Sequence, residues 1–218
     1  MSDMNEDSDE VDTPPEPMDR HQIMGMSVLV EGLLVPGAFL VGWWAGFDPM
    51  EKLVFTWADM GWGFGGGIVL ALVVMAVLLL PFSPIKAFKG LMERHMFPML
   101  AASTYPDRVG IALLAGFCEE LLFRGAIQPA LGMTLLGPWG ALIISSVLFG
   151  ALHGLSGVYF FLAMGISLIL GGLYQFTDNL LGPMILHGVY DLIILLMTIP
   201  YEPLKDDGSG ESAWEDGE

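Results

Sequence analysis

Residues 64–82 read FGGGIVLALVVMAVLLLPF, a run of nineteen residues with no charged side chain. A helix needs about 20 predominantly apolar residues to cross the hydrocarbon core of a bilayer. Five further apolar segments accompany this run, at residues 24–47, 107–128, 136–153, 158–177 and 180–199. The sequence therefore predicts an all-α protein, a polytopic transmembrane helical bundle of about six spans.

The composition agrees with a membrane protein and argues against several other classes. Hydrophobic residues make up 54% of the 218 residues and charged residues only 15%, against roughly 25% in typical soluble domains. The formal net charge of −17 argues against a nucleic-acid partner, which requires a basic surface. Cys118 is the single cysteine, so no disulfide framework is expected. We expect no secretory signal peptide, because the first twenty residues are acidic.

Charge divides the chain into four regions. Most of the acidic excess lies at the two ends, where apolar residues are scarce, and this composition is typical of disordered segments. We expect residues 1–22 and 202–218 to be disordered acidic tails. Between them, residues 23–104 would hold two spans and an amphipathic helix, and residues 105–201 the remaining spans.

The amphipathic helix is predicted at residues 85–100. Its apolar side chains recur at near-helical spacing with Lys86, Lys89 and Arg94 among them, a pattern typical of a helix that lies in the membrane interface. Four of the eight basic residues lie on this side of the second span. The positive-inside rule therefore predicts a cytoplasmic loop here and, with an even number of spans, two cytoplasmic termini. We expect a multi-pass protein of the cell (inner) membrane.

Six ionisable side chains within or at the ends of the predicted spans are candidates for function: Glu119, Glu120, Arg124, His153, His187 and Asp191. A charge at the centre of a membrane helix costs roughly 2.5–3.5 kcal/mol, so each requires a reason. Glu120 and Arg124 are four residues apart on one helical face, where we expect an ion pair. Glu119 is rotated about 100° away. Either both acids share Arg124, or Glu119 is free for chemistry.

The two histidines lie in later spans. His187 and Asp191 share a helical face, so the carboxylate can orient the imidazole, share a ligand with it, or merely hold helices together. His153 follows a stripe of small residues, at the four-residue spacing that lets helices approach closely. His153 is either an ordinary helix cap or a site residue. In the second case we expect its turn to enter the membrane and to lie within about 12 Å of Glu119.

Three motifs resemble those of the CAAX prenyl endoprotease and bacteriocin-processing (CPBP) family of intramembrane proteases. They are Glu119-Glu120-x-x-x-Arg124, Phe149-x-x-x-His153 and His187-x-x-x-Asp191. The resemblance covers about residues 105–200 and implies a protease core at residues 105–201. It also implies an endopeptidase that acts near the bilayer on a membrane-associated peptide or protein, such as the lipidated CAAX proteins that eukaryotic members cleave.

The resemblance also implies roles for the motif residues. Glu119 and His153 would activate a water molecule, and the pair Glu120 and Arg124 would support the architecture. His187 and Asp191 would hold the oxyanion or a metal. Members are commonly described as metalloproteases, and a catalytic Zn²⁺ usually takes three protein ligands and leaves one open position. The candidate ligands are Glu119, His153, His187 and Asp191.

A metal-free mechanism stays open, with Glu119 as general base and His187 as a donor to the oxyanion. Asp191 stands where the family commonly has Asn; Asp ligates metals well but cannot donate when ionised. A Cys118 nucleophile is disfavoured beside two carboxylates. Two other functions remain: a non-catalytic membrane scaffold or immunity-type protein, and an ion-coupled carrier in which the polar residues form a relay.

Overall fold

The computed structural model describes residues 18–197, and in this range the chain forms helices joined by short turns, with no β-strand. The helices are α1 Arg20–Ala45, α2 Trp57–Leu78, α3 Ser83–Leu91, α4 Phe97–Leu100, α5 Tyr105–Leu122, α6 Gln128–Gly132, α7 Gly137–Leu152, α8 Gly157–Thr177 and α9 Leu181–Met197. Two π-helical turns, Met92–Met96 and Phe123–Ile127, join α3 to α4 and α5 to α6. The predicted all-α membrane bundle is confirmed.

Each predicted span coincides with a helix, although the helices differ in length. Three of those described, α1, α2 and α8, are long and apolar enough to cross a membrane. Helices α7 and α9 are apolar but have only 16 and 17 residues. The third predicted span comprises α5, a π-helical turn and α6 in direct succession. The count of six spans therefore stays a prediction.

Helix α1 begins at Arg20, inside the segment assigned to the N-terminal tail. Asp19 and Gln22 form a capping box, in which the side chain of each accepts a 2.9 Å hydrogen bond from the backbone N–H of the other. Such reciprocal bonds satisfy two donors that a helix start otherwise leaves unpaired. The rest of the predicted acidic tails, residues 1–17 and 202–218, lies outside the described residues.

Helix α5 also begins with a capping box, formed by Thr104 and Asp107. Thr104 Oγ1 accepts a 3.4 Å hydrogen bond from the backbone N–H of Asp107, and Asp107 accepts from the backbone N–H of Thr104 at 2.8 Å. Asp107 also binds Arg20 of α1 through two hydrogen bonds of 2.7 and 2.8 Å. This ion pair joins the first turns of α1 and α5.

Contacts along α1 and α5 show that the two helices run in the same direction. The side chain of Met24 lies beside Gly110, and that of Leu122 lies beside Gly37. Similar contacts pair α5 and α6 with α8, since Arg124 binds Ser167 and Gln128 binds Gly171. Helices α1, α5 and α8 thus point one way, and α9, α2 and α7 point the other way.

Helices α5 and α9 approach most closely at a pair of glycines. A Cβ atom on Gly116 would lie 2.7 Å from the backbone nitrogen of Gly188 and 2.8 Å from the carbonyl oxygen of Met184. Glycine is therefore required at position 116, because any side chain would push the two backbones apart. This contact brings Glu120, one turn further along α5, against α9.

The two ends of the bundle differ in composition. Exposed aromatic side chains surround the end where α1 and α8 finish and α2 and α7 begin: Trp43, Trp44, Phe55, Trp57, Trp139 and Phe176. Such belts are typical of a membrane–water interface. The opposite end carries Arg20, Lys86, Lys89, Arg94 and Arg108. Between the ends, exposed apolar side chains cover α1 and α2, as expected of surfaces that face lipid.

The predicted amphipathic segment is helical, as α3, the first π-helical turn and α4. Ile85 and Phe88 are buried against the bundle, whereas Lys86 and Lys89 are exposed. The segment therefore has the two faces that the sequence predicts. Its location in the membrane interface stays a prediction.

Candidate active site

Glu119 and His153 meet although they lie on different helices. Glu119 lies on the last turn of α5, and His153 caps the C-terminal end of α7. The atoms Glu119 Oε2 and His153 Nε2 are 3.9 Å apart, well inside the distance expected from the sequence. This gap is too long for a direct hydrogen bond. A water molecule beside it can hydrogen-bond to both atoms.

The ring of His153 is held in place by its neighbours. Its Nδ1 atom is 2.9 Å from the carbonyl oxygen of Phe149, one helical turn earlier. The rings of Phe149 and His153 stack with centroids 4.4 Å apart, and Tyr159 meets His153 edge to face at 5.8 Å. An Nδ1–H that donates to this carbonyl leaves the Nε2 lone pair facing Glu119.

Glu120 is the hub of a buried polar network. Its Oε1 atom accepts hydrogen bonds from Arg124 Nη1 at 2.7 Å and from His187 Nδ1 at 2.9 Å. Arg124 also donates to the carbonyl and hydroxyl oxygens of Ser167 on α8, both at 2.7 Å. Glu120 and Arg124 are completely buried. The ion pair expected from the sequence is present, and it joins α5, α8 and α9.

The partner of Glu120 on α9 is not visible in the sequence. His187 and Asp191 are close as expected, with Nε2 and Oδ2 3.4 Å apart, but the other ring nitrogen of His187 binds Glu120. Both nitrogens of this imidazole therefore face carboxylates. A hydrogen bond at Nδ1 fixes the ring orientation and directs Nε2 towards the same space as Asp191.

The second π-helical turn begins at Phe123, three residues after Glu120. Such turns are frequent at functional sites. Arg124 lies in this turn, near the rings of Phe123 and Phe149, whose centroids are 5.8 and 5.3 Å from its guanidinium carbon. The two rings contact each other with centroids 4.9 Å apart. Through these aromatic contacts the guanidinium of Arg124 touches Phe149, whose carbonyl oxygen and ring hold His153 in place.

A cavity of about 500 Å³ lies above this network, lined by residues of α1 to α5 and of α7 to α9. Its walls are mainly apolar and include several methionines. Four predicted site residues line it: Glu119, His153, His187 and Asp191. Glu120 and Arg124 lie behind the wall. The structure thus brings together three predicted spans around one hollow.

Four further polar residues line the cavity that sequence reasoning did not assign to the site. They are Glu31, Lys89, Tyr159 and Tyr190. Glu31 carries a signal in the sequence, since it is the one charged residue of the first apolar segment. The two tyrosines carry no such signal, because aromatic residues are common in membrane helices.

The donor set does not match a zinc site in its present arrangement. Within residues 18–197, no three His, Cys, Asp or Glu side chains form a group that could hold one metal ion. A catalytic zinc usually takes three such ligands. The bonds from Nδ1 of His153 and His187 to oxygen atoms are of the kind that orient metal-bound histidines, but the first coordination shell is incomplete. Zn²⁺ stays a prediction from the resemblance.

Comparison with known proteins identifies the region that holds these residues. Residues 101–193 match the family model described as type II CAAX prenyl endopeptidase Rce1-like. The chain is also 34% identical over 109 residues to the uncharacterized protein YpbD of Bacillus subtilis (strain 168), an alignment that covers 49% of this chain and 52% of YpbD. The chain thus spans about half the length of this relative. No solved structure matches the chain. Residues 101–193, which hold every candidate site residue, are therefore similar to the type II CAAX prenyl endopeptidase Rce1-like family.

Proposed function

We propose that the protein is an intramembrane endopeptidase that hydrolyses a peptide bond with a water molecule activated by Glu119 and His153. The observation that carries this proposal is the position of the Glu119 carboxyl group. Its Oε2 atom is buried, has no hydrogen-bond partner within residues 18–197 and lies 3.9 Å from His153 Nε2 in the cavity. A buried polar atom without a partner is costly, and a reacting water molecule would supply that partner.

The first step is the attack of water on the scissile carbonyl carbon. Glu119 takes one proton from the water molecule while His153 holds the water through Nε2, and the oxygen forms a bond to carbon. The carbonyl oxygen becomes an oxyanion. In the second step the carbon–nitrogen bond breaks, and Glu119 returns its proton to the departing nitrogen. The products are a carboxylic acid and an amine, and Glu119 is again a carboxylate.

In the proposed reaction, His187 stabilises the oxyanion. When both ring nitrogens carry protons, Nδ1–H donates to Glu120 and Nε2–H points into the space beside Asp191. A donor held in advance by a buried network needs no reorganisation during the reaction. Asp191 faces the same nitrogen, so it balances the charge of such an imidazolium between reaction cycles.

The substrate we propose is a membrane-associated peptide or protein, which can carry a lipid chain. The cavity is large, about 500 Å³, and its apolar walls suit hydrophobic side chains or an acyl or prenyl group. Lys89 of α3 also lines the cavity, at the basic end of the bundle. We further propose that this end faces the cytoplasm, as the distribution of basic residues favours.

Cleavage by the purified protein in liposomes tests the proposal. The probes are quenched fluorescent peptides with a hydrophobic anchor, one of them farnesylated at a C-terminal CAAX sequence. We expect the variants Glu119→Gln and His153→Ala to lose at least about 100-fold in cleavage rate, the usual contribution of a general base. Cys118→Ser, next to Glu119, is the matched control and retains the rate. Far-UV circular dichroism verifies that every variant is folded.

Three results would contradict the proposal. Full cleavage by Glu119→Gln would exclude Glu119 as the base. If the wild-type protein cleaves no substrate and Glu119→Gln only lowers stability, the result would favour a non-catalytic scaffold. Ion flux into the liposomes that disappears in Glu119→Gln would favour a carrier. The same assay with a chelator tests the expected Zn²⁺. If the chelator abolishes cleavage and added zinc restores it, the reaction requires a metal.

A further inference from the structure

Glu31 is a charged residue of the cavity wall that the proposed reaction does not use. It lies in the middle of α1, a helix that is long and apolar enough to cross a membrane. Its Oε2 atom is buried and has no hydrogen-bond partner in the part of the chain that the structure describes. A charged side chain at this depth is expensive, and a buried polar atom without a partner adds to the cost.

The register of α1 against α5 places Glu31 beside the proposed base. Met24 lies next to Gly110 and Gly37 next to Leu122, so position 31 lies level with the turn that immediately precedes Glu119. Glu31 is also within electrostatic range of Glu119, His187 and Asp191. It therefore approaches the reacting centre from α1, whereas His153 approaches from α7.

The other two carboxyl groups of the cavity each face a histidine. Glu119 faces His153, and Asp191 faces His187. Neither histidine has Glu31 as a hydrogen-bond partner. A peptide substrate brings into this space a donor that the reaction described above leaves unpaired, the N–H of the bond to be cleaved. An amide N–H in an apolar cavity needs an acceptor.

We infer that Glu31 is a further catalytic residue, whose carboxyl oxygen accepts a hydrogen bond from the N–H of the scissile amide. The inference rests on the proposed peptidase function. The contact turns the nitrogen so that its developing lone pair points at Glu119, which then delivers to it the proton taken from water. Glu31 neither gains nor loses a proton, so the balance of the reaction is unchanged.

Matched amide and ester substrates test this contact. An ester has the same chain but lacks the N–H, so its cleavage needs Glu119 and not Glu31. We expect Glu31→Met to lower amide cleavage about 10- to 100-fold, the factor for one hydrogen bond to a charged group, while ester cleavage changes less than about threefold. Glu31→Gln keeps a carbonyl acceptor and retains most amide cleavage.

Two control variants accompany the measurement. Glu51→Met makes the same substitution at an exposed position in the loop between α1 and α2 and leaves both rates unchanged. Glu119→Gln loses both rates. Retained ester cleavage by Glu31→Met shows within the same sample that the variant is folded.

Each remaining outcome is informative. Equal loss of amide and ester cleavage in Glu31→Met would overturn the inference, because it would indicate a structural role for Glu31. Undiminished amide cleavage would overturn it as well. In both cases a wild-type protein that cleaves the amide leaves the proposed function intact. A wild-type protein that cleaves neither substrate would overturn the proposed function, and this inference with it.

Discussion

Separating the structural role of the buried ion pair from its role in catalysis requires a double-mutant cycle on Glu120 and Arg124. Both side chains are completely buried, with Oε1 and Nη1 2.7 Å apart. Removing one partner leaves the other charge buried and uncompensated, which costs about 3–5 kcal/mol. We therefore expect Glu120→Leu and Arg124→Met each to lower the free energy of unfolding by about 3–5 kcal/mol.

The double variant removes both charges and three hydrogen bonds to other residues. These are the bonds from Arg124 to the carbonyl and hydroxyl oxygens of Ser167 and the bond from Nδ1 of His187 to Glu120. At about 1 kcal/mol for each lost hydrogen bond, we expect a total cost of about 3 kcal/mol. Independent effects would instead sum to about 6–10 kcal/mol.

Equilibrium unfolding in mixed detergent micelles, followed by far-UV circular dichroism, measures all four proteins. The folded double variant should nevertheless cleave no substrate, because His187 has lost the group that orients it. A cost of the double variant equal to the sum of the single costs would refute the ion-pair argument. A double variant with wild-type cleavage would refute the orienting role of Glu120.

Two further predictions concern packing and topology. Gly116→Ala places a Cβ atom 2.7 Å from the backbone nitrogen of Gly188, so we expect a loss of about 1–3 kcal/mol in unfolding free energy together with reduced cleavage. Gly65→Ala is the control, because its Cβ atom meets no described atom within 4 Å. Equal stability of the two variants would contradict the close approach of α5 and α9. The second prediction uses single cysteines at the exposed positions Glu93 and Glu51 in a Cys118→Ser background. A membrane-impermeant maleimide should label Glu93→Cys only from the cytoplasmic side and Glu51→Cys only from the opposite side. Labelling of both cysteines from one side would refute the proposed orientation.

The features that the sequence predicts well are local. The start of α5 follows from Thr104 and Asp107, three residues apart, and the pair of Glu120 and Arg124 follows from one helical turn. The helix positions follow from long apolar segments. In each case the partners belong to one helix, so helical geometry alone fixes their distance.

The features that the sequence does not predict depend on how helices pack. The bond between Glu120 and His187 joins residues 67 positions apart and exists because Gly116 and Gly188 let two backbones touch. Glu31 enters the cavity only through the register of α1 on α5. The sequence predicts that Glu119 and His153 lie close together only if the turn after His153 enters the membrane, and it limits their separation to no better than about 12 Å. Side-chain packing between helices sets such distances, and a single sequence does not encode them visibly.

The depth of Glu119 limits which chains the proposed peptidase can cut. Glu119 lies fourteen residues beyond Tyr105, the first residue of α5 at the basic end, which at 1.5 Å per residue is about 21 Å. An extended polypeptide advances roughly 3.3 Å per residue, so about six residues must be threaded from that end before a bond reaches the carboxyl group. A segment that stays helical needs about fourteen. Short unstructured termini and helices that unwind easily therefore have access, whereas a rigid folded domain with a shorter tether does not.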